Sequence, residues 1–448
     1  MKIFRTLGLL VILIALSAYV YFYEIKGGEE REKQKAMEEK VFHFETDSVD
    51  IIEIRSIFNR FWFERSGDNW TIKAPVKTGG DKSAINRLLT TMSNITKIRE
   101  FTIKDGDQKD YGLVARSVLA IIQFKNGERD SLRFGDATPV ENSNYAGRGD
   151  SLVYILSSSS KQALEKQLFD WRDKSVSKID YKDVVEMRLR NAKGSFTFVK
   201  EGADWYLNEP RRVLAENLTV NTILRKIQND KIKSIISEDF KNPNKFRLKK
   251  PGYVVDLYLG EGKAHKQLMF SSLKGNVSNG KDDSRPHVFT VDSTFIRELD
   301  KSFFDLRDKK IVSFFNRDRT DSIIVQQGDT IVTFAKDTAN TWWLNSGANK
   351  VKGWKINSLL SNIFNLKAKE FLLEHTAATR KYGLNQPERI VRIFKEGKQD
   401  VEVHFASPES TQFVVFCPDS KIVAGVSESS YDNIEVKTED YIEVETGT

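Results

Sequence analysis

Hydrophobic positions along the chain recur at two periods, 2 and 3.6. Period-2 runs such as 118–124 and 131–134, on either side of Lys125-Asn126-Gly127, predict strands joined by a tight turn. The i, i+3, i+4, i+7 spacing occurs three times: Ile85, Leu88, Leu89, Met92; Val220, Ile223, Leu224, Ile227; and Ile356, Leu359, Leu360, Ile363. Each set predicts a helix that buries one face. Helices are expected over 81–95 and 159–169. Strands and helices mix without regular βαβ alternation, so the expected class is α+β with mainly antiparallel sheets.

These patterns are copies of one another. A strand, a turn and a Trp come first: Phe61 to Trp70, Phe196 to Trp205, and Ile331 to Trp343. Pro75 and Pro210 follow the first two Trp; the third copy has no such Pro. After the helix come Tyr111-Gly112-Leu113, Phe246-Arg247-Leu248 and Tyr382-Gly383-Leu384, then Val153, Val288 and Val423. Phe169-Asp170-Trp171-Arg172-Asp173-Lys174 recurs as Phe304-Asp305-Leu306-Arg307-Asp308-Lys309, and no such ending is read in the third copy. The period is far above the 20–50 residues of solenoids, so it predicts tandem modules at 41–180, 181–315 and 316–448. Trp70, Tyr111, Gly112, Trp205, Phe246, Trp343, Tyr382 and Gly383 are the expected structural markers. An Asp or Asn before a core Trp (Asp68-Asn69, Asp204) reads as turn chemistry rather than a ligand site. Gly in Tyr-Gly-Leu reads as a left-handed turn position.

The N-terminus follows another pattern. Residues 7–23 carry no charge and follow Lys2 and Arg5. A helix of that length spans about 25 Å, near the lower limit for crossing a bilayer. Tyr19, Tyr21 and Tyr23 at its far end fit an interfacial aromatic belt. The alternative is a cleaved signal peptide, disfavoured because a cut after Ala18 leaves Leu16 at −3. The expectation is a single-pass inner-membrane anchor, with residues 1–6 cytoplasmic, a charged stalk at 24–40 including the Glu29/Lys33 pair, and a periplasmic body.

Of 448 residues, 70 are Lys or Arg and 63 are Asp or Glu, a net charge of +7. The stretch 181–315 alone carries +8, and 316–448 offsets it with −3. Lys241, Lys245, Arg247, Lys249 and Lys250 cluster in 181–315, as a candidate patch for an acidic partner, anionic lipid head groups or an acidic glycan, or as a solvated face. Nucleic acid is not expected, since no recognition motif is present. A single cysteine, Cys417, excludes a disulfide scaffold or a cysteine zinc cluster and reads as a small core residue.

No catalytic motif is found. His43, His265, His287, His375 and His404 form no His-Glu-x-x-His, and neither a nucleophile elbow nor a phosphate-binding loop occurs. Gly260-Glu261-Gly262 and Arg148-Gly149-Asp150 read as turns. Asp256, Asp282 and Asp283 lack the alternating oxygens of a calcium loop. No catalytic residue, cofactor or metal is expected.

The N-terminal span with a charged stalk, Trp70 to Pro75, Lys109-Asp110-Tyr111-Gly112-Leu113, Leu132-Arg133-Phe134-Gly135-Asp136, Tyr145 to Val153 and Lys381-Tyr382-Gly383-Leu384-Asn385-Gln386-Pro387 resemble the family called domain of unknown function 4340. The resemblance implies a bacterial envelope protein without assigned catalytic residues, a companion of ABC-type export systems including those of gliding motility. The expected function is therefore a non-enzymatic, protein-binding accessory beside a transporter permease. The alternatives are a glycan- or peptidoglycan-binding module using exposed aromatics, with Trp62, Trp171 and Trp354 as candidates, or the basic patch of 181–315, and an unrecognised hydrolase.

Overall fold

In each repeat the alternating runs close into one ladder around a central pair of strands. The computed structural model describes residues 34–104, 106–312, 315–347, 349–374, 379–409 and 412–443, with the single positions 14, 16, 17, 19 and 21. The first repeat holds β1 (Val49–Arg55), β2 (Arg60–Ser66), β3 (Asn69–Ala74), β4 (Thr78–Gly79), β5 (Lys97–Thr102), β6 (Val118–Phe124), β7 (Arg129–Ala137), β8 (Ser143–Arg148) and β9 (Leu152–Ser157). The second holds β10 (Val184–Asn191), β11 (Gly194–Glu201), β12 (Asp204–Glu209), β13 (Val213–Leu214), β14 (Ser234–Ser237), β15 (Tyr253–Leu259), β16 (Ala264–Phe270), β17 (Val277–Asp282) and β18 (Val288–Asp292). The third holds β19 (Ser322–Gln327), β20 (Thr330–Lys336), β21 (Trp342–Leu344), β22 (Asn349–Lys350), β23 (Glu370–Glu374), β24 (Arg389–Lys395), β25 (Lys398–Glu409), β26 (Gln412–Cys417) and β27 (Ile422–Gly425).

All three sheets have nine strands in one order. The first runs β4-β3-β2-β1-β6-β7-β8-β9-β5, and the other two repeat it strand for strand. The register is repeated as well: Ile52 faces Phe63 and Ile122, Met187 faces Phe198 and Leu257, and Ile323 faces Phe334 and Ile393. These residues are buried and alternate with outward-facing neighbours, as period 2 requires. The three helices α1 (Lys82–Ser93), α2 (Asn217–Asn229) and α3 (Gly353–Phe364) connect the fourth strand of each repeat to the fifth. All twelve apolar positions read from the helical spacing are buried. Asp81 caps α1 by accepting from the Ala84 N–H at 3.0 Å.

The chain divides into two compact units, Met1–Val176 with Lys231–Ile236, and Ser177–Asp230 with Ser237–Thr448. The first sheet lies in the first unit and the third in the second.

Three expectations need correction. The helix expected over 159–169 is two short helices, Ser158–Gln162 and Leu168–Trp171, because a capping box between Gln167 and Asp170 starts a new helix. The third repeat does have the closing element. Its helix Thr438–Tyr441 takes the place of Leu168–Trp171 and Phe303–Leu306. In all three the last carbonyl of that helix (Trp171, Leu306, Tyr441) accepts from the residue before the long helix (Asp81, Glu216, Lys352), at 2.8–2.9 Å. Tyr441 is buried where Trp171 and Leu306 are, so side-chain bulk persisted while the sequence motif did not. Finally, the buried Trp of the third repeat is Trp342. It pairs with Lys336 as Trp70 pairs with Arg65 and Trp205 with Lys200, and the expected marker, Trp343, is half-buried on the opposite face.

Most of the apolar stretch 7–23 and of the stalk, Glu29 and Lys33 included, lies outside the described residues, as do residues 1–6. Ile14, Leu16, Tyr19 and Tyr21 are exposed. Among the described residues no helix is long and apolar enough to cross a membrane.

Candidate functional site

The repeated markers form two structural nodes. At the first, the indole N–H of Trp70 donates to Asn86 Oδ1 at 2.9 Å, and that of Trp205 donates to Asn221 Oδ1 at 3.3 Å. Each pins the third strand of its repeat to the long helix. Asp204 accepts from the Asn217 side chain, which in turn accepts from the Trp205 backbone N–H, so Asp204 belongs to a turn. At the second node, Gly112 and Gly383 have φ of +67° and +73°, and Arg247 holds the same left-handed position at +58°. Leu113, Leu248 and Leu384 then plug the sheet face opposite the long helix. Tyr111 packs against Phe101 and Tyr145, with ring centroids 5.5 and 5.0 Å away. Phe246 and Tyr382 join small apolar clusters with Met269 and Phe416.

The basic cluster lies on the loop between β14 and β15. Phe246 and Leu248 are buried and hold the loop down, while Lys241, Lys245, Lys249 and Lys250 stand exposed. Arg247 donates to the Ser272 carbonyl at 3.1 Å, so it braces the loop. Lys241 reaches Asp239 at 3.3 Å and holds that carboxyl below its usual range.

A cleft of about 640 Å³ opens in the first repeat. Its floor is apolar, formed by Ile54, Phe61, Val118, Phe134 and Leu164, all buried. Gly112 and Gly135 lie in its wall, where backbones approach closely: a Cβ on Gly135 would stand 2.1 Å from the Tyr111 carbonyl oxygen. Over one edge hangs the β1–β2 turn, Ile57-Phe58, closed by the Ser56 N–H donating to Asn59 O at 2.8 Å. Phe58 is 86% exposed and Ile57 58%. Sequence reading passed over this turn, because two apolar residues between strands read as more strand.

Histidine and carboxylate do meet, on open strands. His265 Nε2 lies 2.8 Å from Asp256, which also accepts from Gln267, and His404 Nε2 lies 2.6 Å from Glu402, which accepts from Arg392. Glu402 is held below the usual carboxylate range: burial opposes its charge, but His404 and Arg392 outweigh burial. Asp282 is fully buried. Burial raises its pKa, yet bonds from Ser284 and Ser177 and the charge of Lys266 prevail and keep it low. Burial pushes the neighbouring Lys281 amine down, and its Nζ donates to the carbonyls of Asp282 and Arg285. Each polar group here is consumed by a fixed partner. His287 is buried, His43 is exposed, and His375 lies outside the described residues. Among the described residues no three His, Cys, Asp or Glu gather as metal ligands would. Cys417 is in the third core. Trp171 is fully buried and offers no platform; Trp62 is half-buried; Trp354 is 64% exposed.

The family model Domain of unknown function (DUF4340) matches residues 70–251 and 205–387. The chain belongs to this family. The second DUF4340 match starts 135 residues after the first, at 205 against 70, which is the spacing of the two Trp nodes. Each match begins at a Trp and runs past the next repeat's left-handed turn, so the DUF4340 pattern spans more than one repeat. No curated protein matches the chain. The DNA polymerase sliding clamp from Pseudomonas aeruginosa aligns with 88% of the chain and 95% of its own length, at 8% identity and a TM-score of 0.15. A putative DNA polymerase III beta subunit from Eubacterium rectale aligns over 88% and 94%, at 7% identity and 0.14. Likeness at that level carries no argument about this DUF4340 protein.

Proposed function

We propose that this protein is a membrane-anchored, extracytoplasmic, non-enzymatic accessory, a protein-binding companion of an ABC-type envelope export or gliding-motility transport system. In this reading residues 7–23 hold it in the inner membrane, the N-terminus is cytoplasmic, and the body stands in the periplasm. The observation that supports binding rather than chemistry is the loop of the second repeat. Four lysines are presented to solvent by two buried anchors, a rigid cationic surface suited to an acidic patch on a partner. Purification from gently solubilised membranes tests it. A transporter permease is expected to co-purify, and recovery of the protein alone would overturn the reading.

Trp354 favours a second reading, a glycan-binding envelope module. Its ring is exposed on α3 and Lys355 Nζ lies 5.2 Å from its centroid. Pull-down on cell-wall material separates the two, since Trp354→Ala weakens retention only in the second.

A further inference from the structure

The same two-residue hairpin turn occurs three times, and it is chemically different once. After the first strand of each repeat the turn residues are Ile57-Phe58, Ala192-Lys193 and Gly328-Asp329, each flanked by the same antiparallel register. Two of these tips are suited to water, and Lys193 is tied down to Asp300 at 3.1 Å. The first places an Ile and a Phe outward, and the fold does not require it, since the other two copies close the same turn with polar or small residues. Exposing a Phe to 86% forgoes nearly all of the stabilisation its burial would give, so an apolar medium for it is a functional expectation.

The surroundings of the tip say which medium. Lys109, Arg116, Lys161 and Lys166 line the adjoining cleft against Asp136 and Glu165, an excess of two positive charges beside the apolar tip. Arg55 and Arg60 flank the turn, about half exposed, and share the single carboxylate of Glu53. An apolar wedge inside a cationic collar is the chemistry that recognises an anionic lipid surface. The position in the chain agrees. A tether of residues 24–40 reaches at most about 60 Å fully extended, which keeps the first repeat within that distance of the bilayer.

We infer that the Ile57-Phe58 turn is a membrane-inserting tip that seats the first repeat on anionic lipid. The nearness argument rests on the reading of residues 7–23 as an anchor, and the test separates the two. The full chain carries Phe58→Cys, Lys193→Cys or Asp329→Cys, each labelled with an environment-sensitive fluorophore; Cys417, 1% exposed, leaves the introduced thiol as the reactive one. The proteins are incorporated into phosphatidylglycerol-containing vesicles and floated. The label at 58 is expected to shift to the blue and to be quenched by lipid-borne quencher, while those at 193 and 329 report water. Flotation with the label at 58 in water overturns the tip and leaves the anchor standing. Flotation abolished by Phe58→Asp leaves the tip standing and overturns the anchor. Equal insertion into neutral phosphatidylcholine vesicles, or a label shielded only by a co-purifying protein, overturns the assignment to anionic lipid.

Discussion

Gly135 and Gly383 are needed for different reasons, and substitution separates them. Gly135 faces a backbone oxygen that cannot swing aside, so Gly135→Ala must shift the Tyr111 loop, an overpacking cost of about 1–3 kcal/mol. Gly383 has open space: a methyl added there would meet its nearest neighbour at 3.6 Å, an ordinary contact. Gly383→Ala therefore pays only for φ, about 1 kcal/mol. Gly112 should follow Gly383, because the Asp136 carboxylate that blocks it is an exposed side chain free to rotate. Urea denaturation midpoints should rank Gly135→Ala as the more damaging. The Trp nodes give a second residue-level test. Asn86→Ala and Asn221→Ala each orphan a buried indole N–H, and each should lower stability by about 1–2 kcal/mol. Equal stability of variant and parent would show that water takes over the bond.

Between elements, the join of the second and third repeats within the second unit includes one carboxylate that bridges two arginines, beside the Phe304–Phe371 ring contact and the Lys367–Glu216 pair. Glu374 on β23 accepts from Arg307 at 2.5 Å and from Arg211 at 2.6 Å, and the Arg307 guanidinium lies 3.6 Å from the Phe371 ring centroid. Arg307 and Glu374 are both nearly buried. Burial alone would raise the Glu374 pKa, but the two arginines overcome it and hold the carboxyl below its usual range. A depressed folded pKa means the stabilisation is complete above the unfolded carboxylate value, near 4.3, and is lost as pH falls through the lower folded one. Glu374→Gln should therefore cost about 3 kcal/mol at pH 7, because it strands a buried guanidinium. The gap between variant and parent should close in acid below about pH 4. A gap that stays constant with pH would mean the pair contributes packing rather than charge.

At the scale of the molecule, three sheets of one topology carry very unequal charge, with the excess in the middle repeat. If its lysine loop is the docking surface, partner retention is electrostatic and screened by salt. Lys249→Glu with Lys250→Glu should release a co-purifying partner at low ionic strength, as high salt does for the parent. Retention unchanged by both treatments would move the contact elsewhere, most directly to the first repeat.

Much of this was readable from the chain alone. Strand alternation, the three helical stripes, the repeat period and the left-handed Gly positions are local patterns, imposed by residue spacing and by φ, and all appear in the fold. The charge excess of the second repeat is a matter of counting. What could not be read depends on atoms distant in the chain. Trp342 rather than Trp343 is buried because sheet register, not spacing, selects the inward face. The closing helix of the third repeat was hidden because Tyr441 fills the space of Trp171 with different letters. The Asn pins, the Arg307–Glu374 pair and the exposure of Ile57-Phe58 arise only when strands and helices meet. Burial belongs to the packed chain, and the same apolar side chain serves as core or as a wedge according to what stands opposite it.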